Sequence, residues 1–293
     1  MNASNWLLIE TARQKTAKIA DVVEYLLRSS AVETTSVISE GIGHAASRVE
    51  IPLEPGRDVE VVLDIKSHPP KPAFNTSIGQ ARMLHDLGNI ELQAMELAIR
   101  TLAQFPDAPP EFRRELADVA LEEARHLNLC LDALEEMGHP WGSWPVHRSL
   151  WDVVNDNDLL ARVLIVHRYM EGAGLDAGSR LMERLSGVRA PLARDVVGTI
   201  TREEEGHVAF GSKWYRIICL ERGLDPDQHF ALNYPEILRA IPRNEKPDFE
   251  VRRRAGFNDS EIATIQHALE NTDFSKRRDG PKPPLIISNS KRL

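Results

Sequence analysis

Four long stretches of the chain carry apolar residues at intervals of three and four, which is the spacing of one face of an α-helix. They predict helices over about residues 76–104, 110–137, 156–186 and 191–222. The first helix is predicted to end before Pro106 and the fourth to close at Gly223, because proline and glycine commonly terminate helices. Four amphipathic helices of this length favour an all-α fold built on a four-helix bundle.

The segment before these helices has a different pattern. Residues 1–75 are predicted to form an N-terminal extension with an amphipathic helix over 4–28, a short strand over 59–65 and a proline-rich linker. The bundle itself is then predicted to span residues 76–222.

The segment after the bundle has weaker periodicity. Residues 223–293 are predicted to form a C-terminal extension with short helices near 234–240 and 259–269. The tail over 275–293 is rich in basic residues, proline and glycine, which is typical of a mobile or extended arm.

Two of the predicted helices carry the same pair of polar residues on an otherwise apolar face, a glutamate followed three positions later by a histidine. The pairs are Glu123 with His126 and Glu204 with His207. Residues three apart share one face of a helix, so each pair can present two donors in one direction. One such pair alone is a weak indication of metal binding, since charged residues at this spacing are common on solvated faces.

The other two predicted helices each place one glutamate inside the apolar stripe. Glu91 precedes Glu123 by 32 positions, and Glu171 precedes Glu204 by 33. Two helices that each supply Glu, and two that each supply Glu-x-x-His, provide the ligands of a carboxylate-bridged two-metal site inside a four-helix bundle. The sequence therefore predicts six metal ligands: Glu91, Glu123, His126, Glu171, Glu204 and His207.

Charge and donor type indicate which metal this set would hold. Four buried carboxylates without counter-charge would repel one another, whereas two divalent cations would balance them. These carboxylates belong to Glu91, Glu123, Glu171 and Glu204, which are also the predicted catalytic residues. Oxygen and imidazole donors without a thiolate favour iron or manganese over structural zinc. We predict two iron ions, with manganese or a mixed manganese and iron pair as the alternatives.

Some roles around this ligand set stay open in the sequence. Glu203 or Glu205 could replace Glu204, because the three glutamates are consecutive. His167, one helical turn before the third predicted ligand glutamate, could be an additional ligand, a hydrogen-bond donor behind a ligand or a proton relay. Glu122 and Glu203 are candidates to orient the metal-binding histidines through their second ring nitrogen.

Several other polar residues are predicted to be peripheral. Glu96 is expected at the surface or behind the ligands, and His229 in a solvated segment. The basic run over 252–254 is expected to be solvated charge. His85 is predicted to face away from Glu91 and not to bind metal.

Composition limits location and partners. The net charge of −8 argues against a general nucleic-acid binder, although the basic tail keeps tRNA open as a partner. The two cysteines lie within helical patterns, which argues against a disulfide framework. Charged residues interrupt the apolar ones over residues 1–28, and no apolar run has membrane-spanning length. We therefore expect a cytoplasmic protein that does not bind membranes and is a monomer or a small homo-oligomer.

Three stretches carry a family resemblance. I-E-L-Q-A-M-E-L over 90–97, E-E-A-R-H over 122–126 and E-E-E-G-H-V-A over 203–209 resemble the family called domain of unknown function 455. The order Glu, Glu-x-x-His, Glu, Glu-x-x-His over 76–222 resembles the ferritin-like di-iron superfamily and, more distantly, the hydroxylases that modify an isopentenyl-adenosine side chain in tRNA. The resemblance implies a ferritin-like four-helix bundle with a two-metal centre. Asn89 stands where the family resemblance would imply a histidine.

The metal centre and the resemblance together indicate a class of activity. We expect a non-haem di-iron oxidoreductase that activates dioxygen and hydroxylates or desaturates a small or nucleoside-like organic substrate, with an electron-donor reductase as partner. The alternatives are a ferritin-like iron-binding or storage protein and an accessory protein in which metal only stabilises the fold. The long extensions argue against a storage cage, since such proteins are compact bundles.

Overall fold

The computed structural model describes residues 1–36, 50–64, 67–154, 158–241, 246–272 and 287. Within these residues every regular element is helical, which confirms the all-α prediction. The chain divides into two compact units. None of the helices in this described part combines the length and the apolar character that crossing a membrane requires.

The first unit comprises Met1–Trp151 and Arg189–Val196. Its helices are α1 (Ala3–Leu7), α2 (Ala12–Ala17), α3 (Ile19–Ser36), α4 (Ser77–Gln104), α5 (Pro110–Glu136) and the start of α6 (Ser149–Val153). The long helices α4 and α5 pack against each other, and α3 contacts both. The bounds predicted for these two long helices agree with the structure to within one residue.

The N-terminal extension departs from its prediction. The single helix expected over 4–28 is wrong, because the chain forms three helices there. The Thr11 side chain accepts a hydrogen bond from the Gln14 N–H group and so caps a new helix after α1. Trp6 and Val23 of the predicted apolar face are buried, whereas Ala17 and Ala20 are exposed. The apolar spacing thus predicted part of the buried face, but not the breaks between the short helices.

The strand expected in the N-terminal extension is reduced to one contact. Val61 forms an isolated parallel bridge with Val146. The Val62 N–H donates to the Val146 carbonyl, and the Val146 N–H donates to the Glu60 carbonyl, each at 2.8 Å. The last residue of the predicted strand, Ile65, lies outside the described residues.

Glu96 on α4 is fully buried, so of its two predicted positions, at the surface or behind the ligands, the surface one is wrong. Its carboxylate pairs with the Lys15 ammonium and, at 2.5 Å, with the Arg57 guanidinium. Burial alone would raise the pKa of Glu96, but the two cations outweigh it and lower that pKa. This ion-pair cluster ties the N-terminal helices and the segment around Arg57 to α4.

The second unit comprises Asp152–Val188 and Val197–Leu293. Its helices are α7 (Leu159–Arg162), a π-helical segment (Val163–Met170), α8 (Glu171–Ser186), α9 (Pro191–Glu221, which begins in the first unit), α10 (Pro226–Ala240), α11 (Phe249–Arg254) and α12 (Asp259–Glu270). The predicted third helix therefore corresponds to α7, the π-helical segment and α8 in succession. Its predicted first residue, Asp156, lies outside the described residues, as do all residues of the basic tail except 287.

Buried ion pairs hold the C-terminal helices of the second unit in place. Arg168 of the π-helical segment pairs with Glu261 of α12 at 2.5 Å and lies 3.6 Å over the Phe257 ring. Arg252 of α11 pairs with Asp176 of α8 at 2.6 Å, and both side chains are buried. The prediction that Arg252 is solvated was therefore wrong, because its guanidinium satisfies a buried carboxylate.

His229 is also buried rather than solvated. Its Nδ1 atom lies 2.7 Å from the hydroxyl of Tyr215, which is itself buried. The sequence pattern of α10 was too weak to predict that this helix starts at Pro226 and buries His229.

Candidate metal centre

The first unit brings three of the predicted ligands together. His126 Nδ1 on α5 lies 3.5 Å from Glu91 Oε2 on α4 and 3.8 Å from Glu123 Oε2 on its own helix. All three side chains are buried. These separations exceed the usual N–H···O distance of about 2.7–3.2 Å. A transition-metal ion binds such donors at about 2.0–2.2 Å, which sets two ligands of one ion about 3–4 Å apart.

Close packing of α4 on α5 allows this approach. A Cβ atom at Gly88, one turn before Glu91, would lie 3.2 Å from the Cys130 Cβ atom on α5. The absence of a side chain at Gly88 therefore lets the two helices come near each other beside the Glu91 carboxylate.

The second unit brings together the other predicted ligands and His167. His167 Nδ1 lies 2.7 Å from Glu171 Oε1, and His207 Nδ1 lies 3.4 Å from Glu204 Oε1. His167 belongs to the π-helical segment, and Glu171 follows directly after it, with its backbone N–H bonded to the Val166 carbonyl five residues back. Segments of π-helix are rare and occur often at functional sites.

Gly211, the residue after Phe210 on α9, lies against the π-helical segment. A Cβ atom at Gly211 would lie only 2.3 Å from the His167 carbonyl oxygen, a distance at which backbone atoms would have to move. The Phe210 ring meets the His167 ring edge to face, with centroids 5.1 Å apart. Gly211 was not among the predicted functional residues, although a helical glycine on a ligand-bearing face is a sequence signal for such a close approach.

The electrostatics of the second unit suit a cation. Burial raises the pKa of Glu171 above its ordinary value, and the His167 and His207 imidazoles oppose that rise. Two buried atoms, His167 Nε2 and Glu171 Oε2, make no hydrogen bond within the described residues. Buried polar atoms nearly always have a partner, so these two fit a bound metal ion or a group beside it.

Four side chains could serve as metal ligands. Glu123 and His126 of the first unit, and Glu204 and His207 of the second, each offer one ligand atom. Three of the four are buried, and Glu204 is partly exposed. The identity of a bound ion does not follow from these donors alone.

The remaining predicted residues take different positions. Glu91 and Glu171 are not among these four residues and adjoin their histidines in the ways described above. Glu122 is exposed and Glu203 is half-buried. Glu205 pairs with Arg254 of α11 at 2.6 Å. Of the three consecutive glutamates, Glu204 is the one among the four candidate ligands.

Two other residues on α4 are not among the candidate ligands. His85 stacks on Trp141, with ring centroids 4.6 Å apart, and its Nε2 atom accepts a hydrogen bond from the Gly142 N–H. Burial lowers the pKa of His85 to about 4. The side-chain amide of Asn89 donates to the His147 carbonyl at 3.0 Å, so this residue fixes a loop.

Comparison with known proteins places these features in one family. A family model described as "Protein of unknown function (DUF455)" matches residues 9–263. A Haemophilus influenzae protein, described as uncharacterized, is 30% identical over 215 residues, which cover 69% of this chain and 73% of the relative. No solved structure matches the chain.

Proposed function

Because the chain belongs to the DUF455 family, whose description names no activity, we propose its function from its polar side chains: a ferritin-like oxidoreductase with a two-metal centre. The proposed ligands are the six residues predicted from the sequence. The observation that carries the proposal is that each unit brings a Glu-x-x-His pair and a further glutamate together: Glu123 and His126 with Glu91, and Glu204 and His207 with Glu171.

The donor set supports iron or manganese. Carboxylate oxygens and imidazole nitrogens are the donors, and both cysteines of the chain are free and buried, with Cys130 on α5 and Cys219 on α9. Glu91 adjoins the first pair and Glu171 the second, which would raise the donor count from four to six. Six donors with four negative charges match two divalent ions. When bound, such a centre supplies the chemistry of dioxygen activation.

The chain's own residues would bind and orient the metal and keep bulk water away. Glu123 and His126 are buried on a regular α-helix, so their positions are set by packing. Glu204 keeps 13% of its side chain exposed. We therefore propose that dioxygen and a small or nucleoside-like organic substrate approach from the side of Glu204, with electrons supplied by a separate reductase.

The first test is the metal content of the purified chain. We expect about two iron or manganese ions per chain, which a chelator removes. Glu123→Gln on α5 and Glu204→Gln on α9 should each lose metal while helicity persists. Matched controls are Glu136→Gln on α5 and Glu221→Gln on α9, since both residues are exposed and should leave the metal content unchanged.

The second test separates turnover from storage or a structural role. An oxidoreductase should consume dioxygen repeatedly when reduced iron and an electron donor are present. Oxygen uptake that stops after one equivalent per centre, with iron accumulating, would favour iron storage. Metal loss that unfolds the chain with no oxygen uptake would favour a structural metal, and absence of metal after anaerobic loading would overturn the proposal.

A further inference from the structure

One polar contact in the second unit joins the predicted ligand Glu171 to His167, whose role the sequence leaves open. The imidazole of His167 lies 2.7 Å from Glu171, and the exposed side-chain fractions are 2% and 9%. When Glu171 is ionised, as a metal ligand must be, its carboxylate can only accept a hydrogen bond, so the Nδ1 atom of His167 then carries the proton and donates to Oε1 of Glu171. One oxygen of this carboxylate is therefore held by the protein.

Each side chain of this pair has a second polar atom. Glu171 Oε2 and His167 Nε2 are buried and make no hydrogen bond within the described residues. A hydrogen bond to one carboxylate oxygen fixes the plane of the carboxylate, and the second oxygen is then the one available to a metal ion. Carboxylates that bind metal are commonly oriented by such neighbours.

The backbone and ring of His167 are themselves held by α9. Its carbonyl lies against Gly211, where no side chain fits, and its ring meets the Phe210 ring edge to face. These two residues follow His207 by three and four positions, so they lie on the same face of α9 as that histidine. His167 is thus fixed between the helix that carries His207 and the first residue of α8.

We infer that His167 is a positioning residue, which holds the Glu171 carboxylate so that Oε2 is the oxygen that binds metal. This inference rests on the proposed metal centre. It selects one of the three roles that the sequence left open for His167. A ligand role would need the Nε2 atom, whereas the positioning role needs the proton on Nδ1.

Two amide substitutions distinguish a role of the His167 Nδ1 atom from a role of its Nε2 atom. The side-chain NH₂ of His167→Asn occupies about the place of Nδ1, and the end of His167→Gln reaches about the place of Nε2. The probe is Mn²⁺ added to the chelator-treated chain, with free Mn²⁺ followed by electron paramagnetic resonance. Helicity and the thermal unfolding midpoint of each variant are measured alongside, and His167→Phe is the variant without a donor.

The positioning role predicts an order of affinities. His167→Gln and His167→Phe should bind Mn²⁺ about 10–100-fold more weakly than the natural chain, as expected when a group behind a ligand is lost. His167→Asn should stay within about 3-fold of the natural chain, because it keeps the donor to Oε1.

Each other outcome is decisive. Weaker binding by His167→Asn than by His167→Gln would identify His167 as a ligand through Nε2 and overturn the inference. Equal binding by all variants, or loss of helicity in the Gln and Phe variants, would overturn it as well while leaving the metal centre standing. Failure of the natural chain to bind Mn²⁺ or Fe²⁺ would instead overturn the proposed function itself.

Discussion

The two Glu-x-x-His pairs follow the same sequence pattern but are built differently. Glu123 and His126 lie on a regular α-helix whose neighbour α4 approaches across Gly88. Glu204 and His207 lie on a helix that meets a π-helical segment at Gly211. The first pair is buried, whereas the carboxylate of the second pair is partly exposed.

The two units therefore position their predicted ligands by different means. In the first unit the ligands lie on two regular α-helices that pack against each other. In the second unit Glu171 follows an irregular helical segment and has a hydrogen-bonding neighbour, His167. Helix packing therefore positions Glu91 and Glu123, whereas a hydrogen-bonding neighbour positions Glu171.

The largest effect is expected from breaking the ion pairs that Glu96 makes in the first unit. Glu96→Gln leaves the Lys15 and Arg57 cations buried without a counter-charge. Removing one partner from such a cluster costs about 3–5 kcal/mol. We expect the urea midpoint of unfolding to fall accordingly, with Glu136→Gln as the exposed control. A change no larger than that of the control would mean that the cluster is solvated.

Acid should weaken the first unit through His85. Its folded-state pKa is lowered to about 4 from an ordinary value of 6.5, so the unfolded chain binds the proton first as pH falls. Stability from the neutral ring is complete above pH 6.5 and is lost down to about pH 4, with a slope of about 1.4 kcal/mol per pH unit.

The test of this pH dependence is urea unfolding between pH 7.5 and 4.5. His85→Gln can keep the acceptor for the Gly142 N–H but cannot titrate. Its unfolding free energy should therefore fall less steeply with acid than that of the natural chain. Parallel slopes in the two proteins would show that His85 is not the group responsible.

Adding one methyl group at Gly211 should disturb the second unit at His167. Gly211→Ala places a Cβ atom 2.3 Å from the His167 carbonyl oxygen, and overpacking of this kind costs about 1–3 kcal/mol. We expect a lower thermal midpoint and weaker Mn²⁺ binding. Gly174→Ala on α8 is the control, because its Cβ meets nothing within 4 Å and a helical glycine replaced by alanine gains about 0.5–1 kcal/mol. Equal midpoints in the two variants would contradict the close approach.

The smallest effect is expected at Glu205, which is next to the proposed ligand Glu204. Glu205 is paired with Arg254, and that hydrogen bond, against a smaller opposing effect of burial, lowers its pKa. Glu205→Gln should therefore leave the metal content unchanged, whereas Glu204→Gln should reduce it. Metal analysis of the two variants side by side checks the register, and the reverse result would exchange the roles of the neighbouring glutamates.

Much of the helical framework could be predicted because it depends on local periodicity. The bounds of α4, α5 and α9 agree to within one residue, since proline, glycine and the apolar stripe mark both ends of each helix. The breaks among the first three helices could not be predicted. A cap such as Thr11 competes with a continuous apolar pattern, and tertiary packing decides between them.

Some features of the candidate site could likewise be predicted from the sequence, and others could not. The types of the donors and their spacing followed from the sequence, and the six-residue ligand set stays a prediction. Burial of Glu96 and Arg252 did not follow, because a charged residue is buried only where distant parts of the chain supply its partner. The π-helical segment was equally invisible, since its residues have ordinary helical character.

The helical class, the positions of the long helices and the carboxylate and imidazole donors on their faces follow from the amino-acid sequence alone. Three features follow only from the folded chain: Glu204 rather than Glu205 is among the four candidate ligands, His167 bonds to Glu171, and Gly211 lies against the His167 carbonyl. The two sets differ in the sequence separation over which the interactions act. Periodicity and capping act over a few neighbouring residues, whereas pairing of buried charges and close approach of helices depend on residues far apart in the chain.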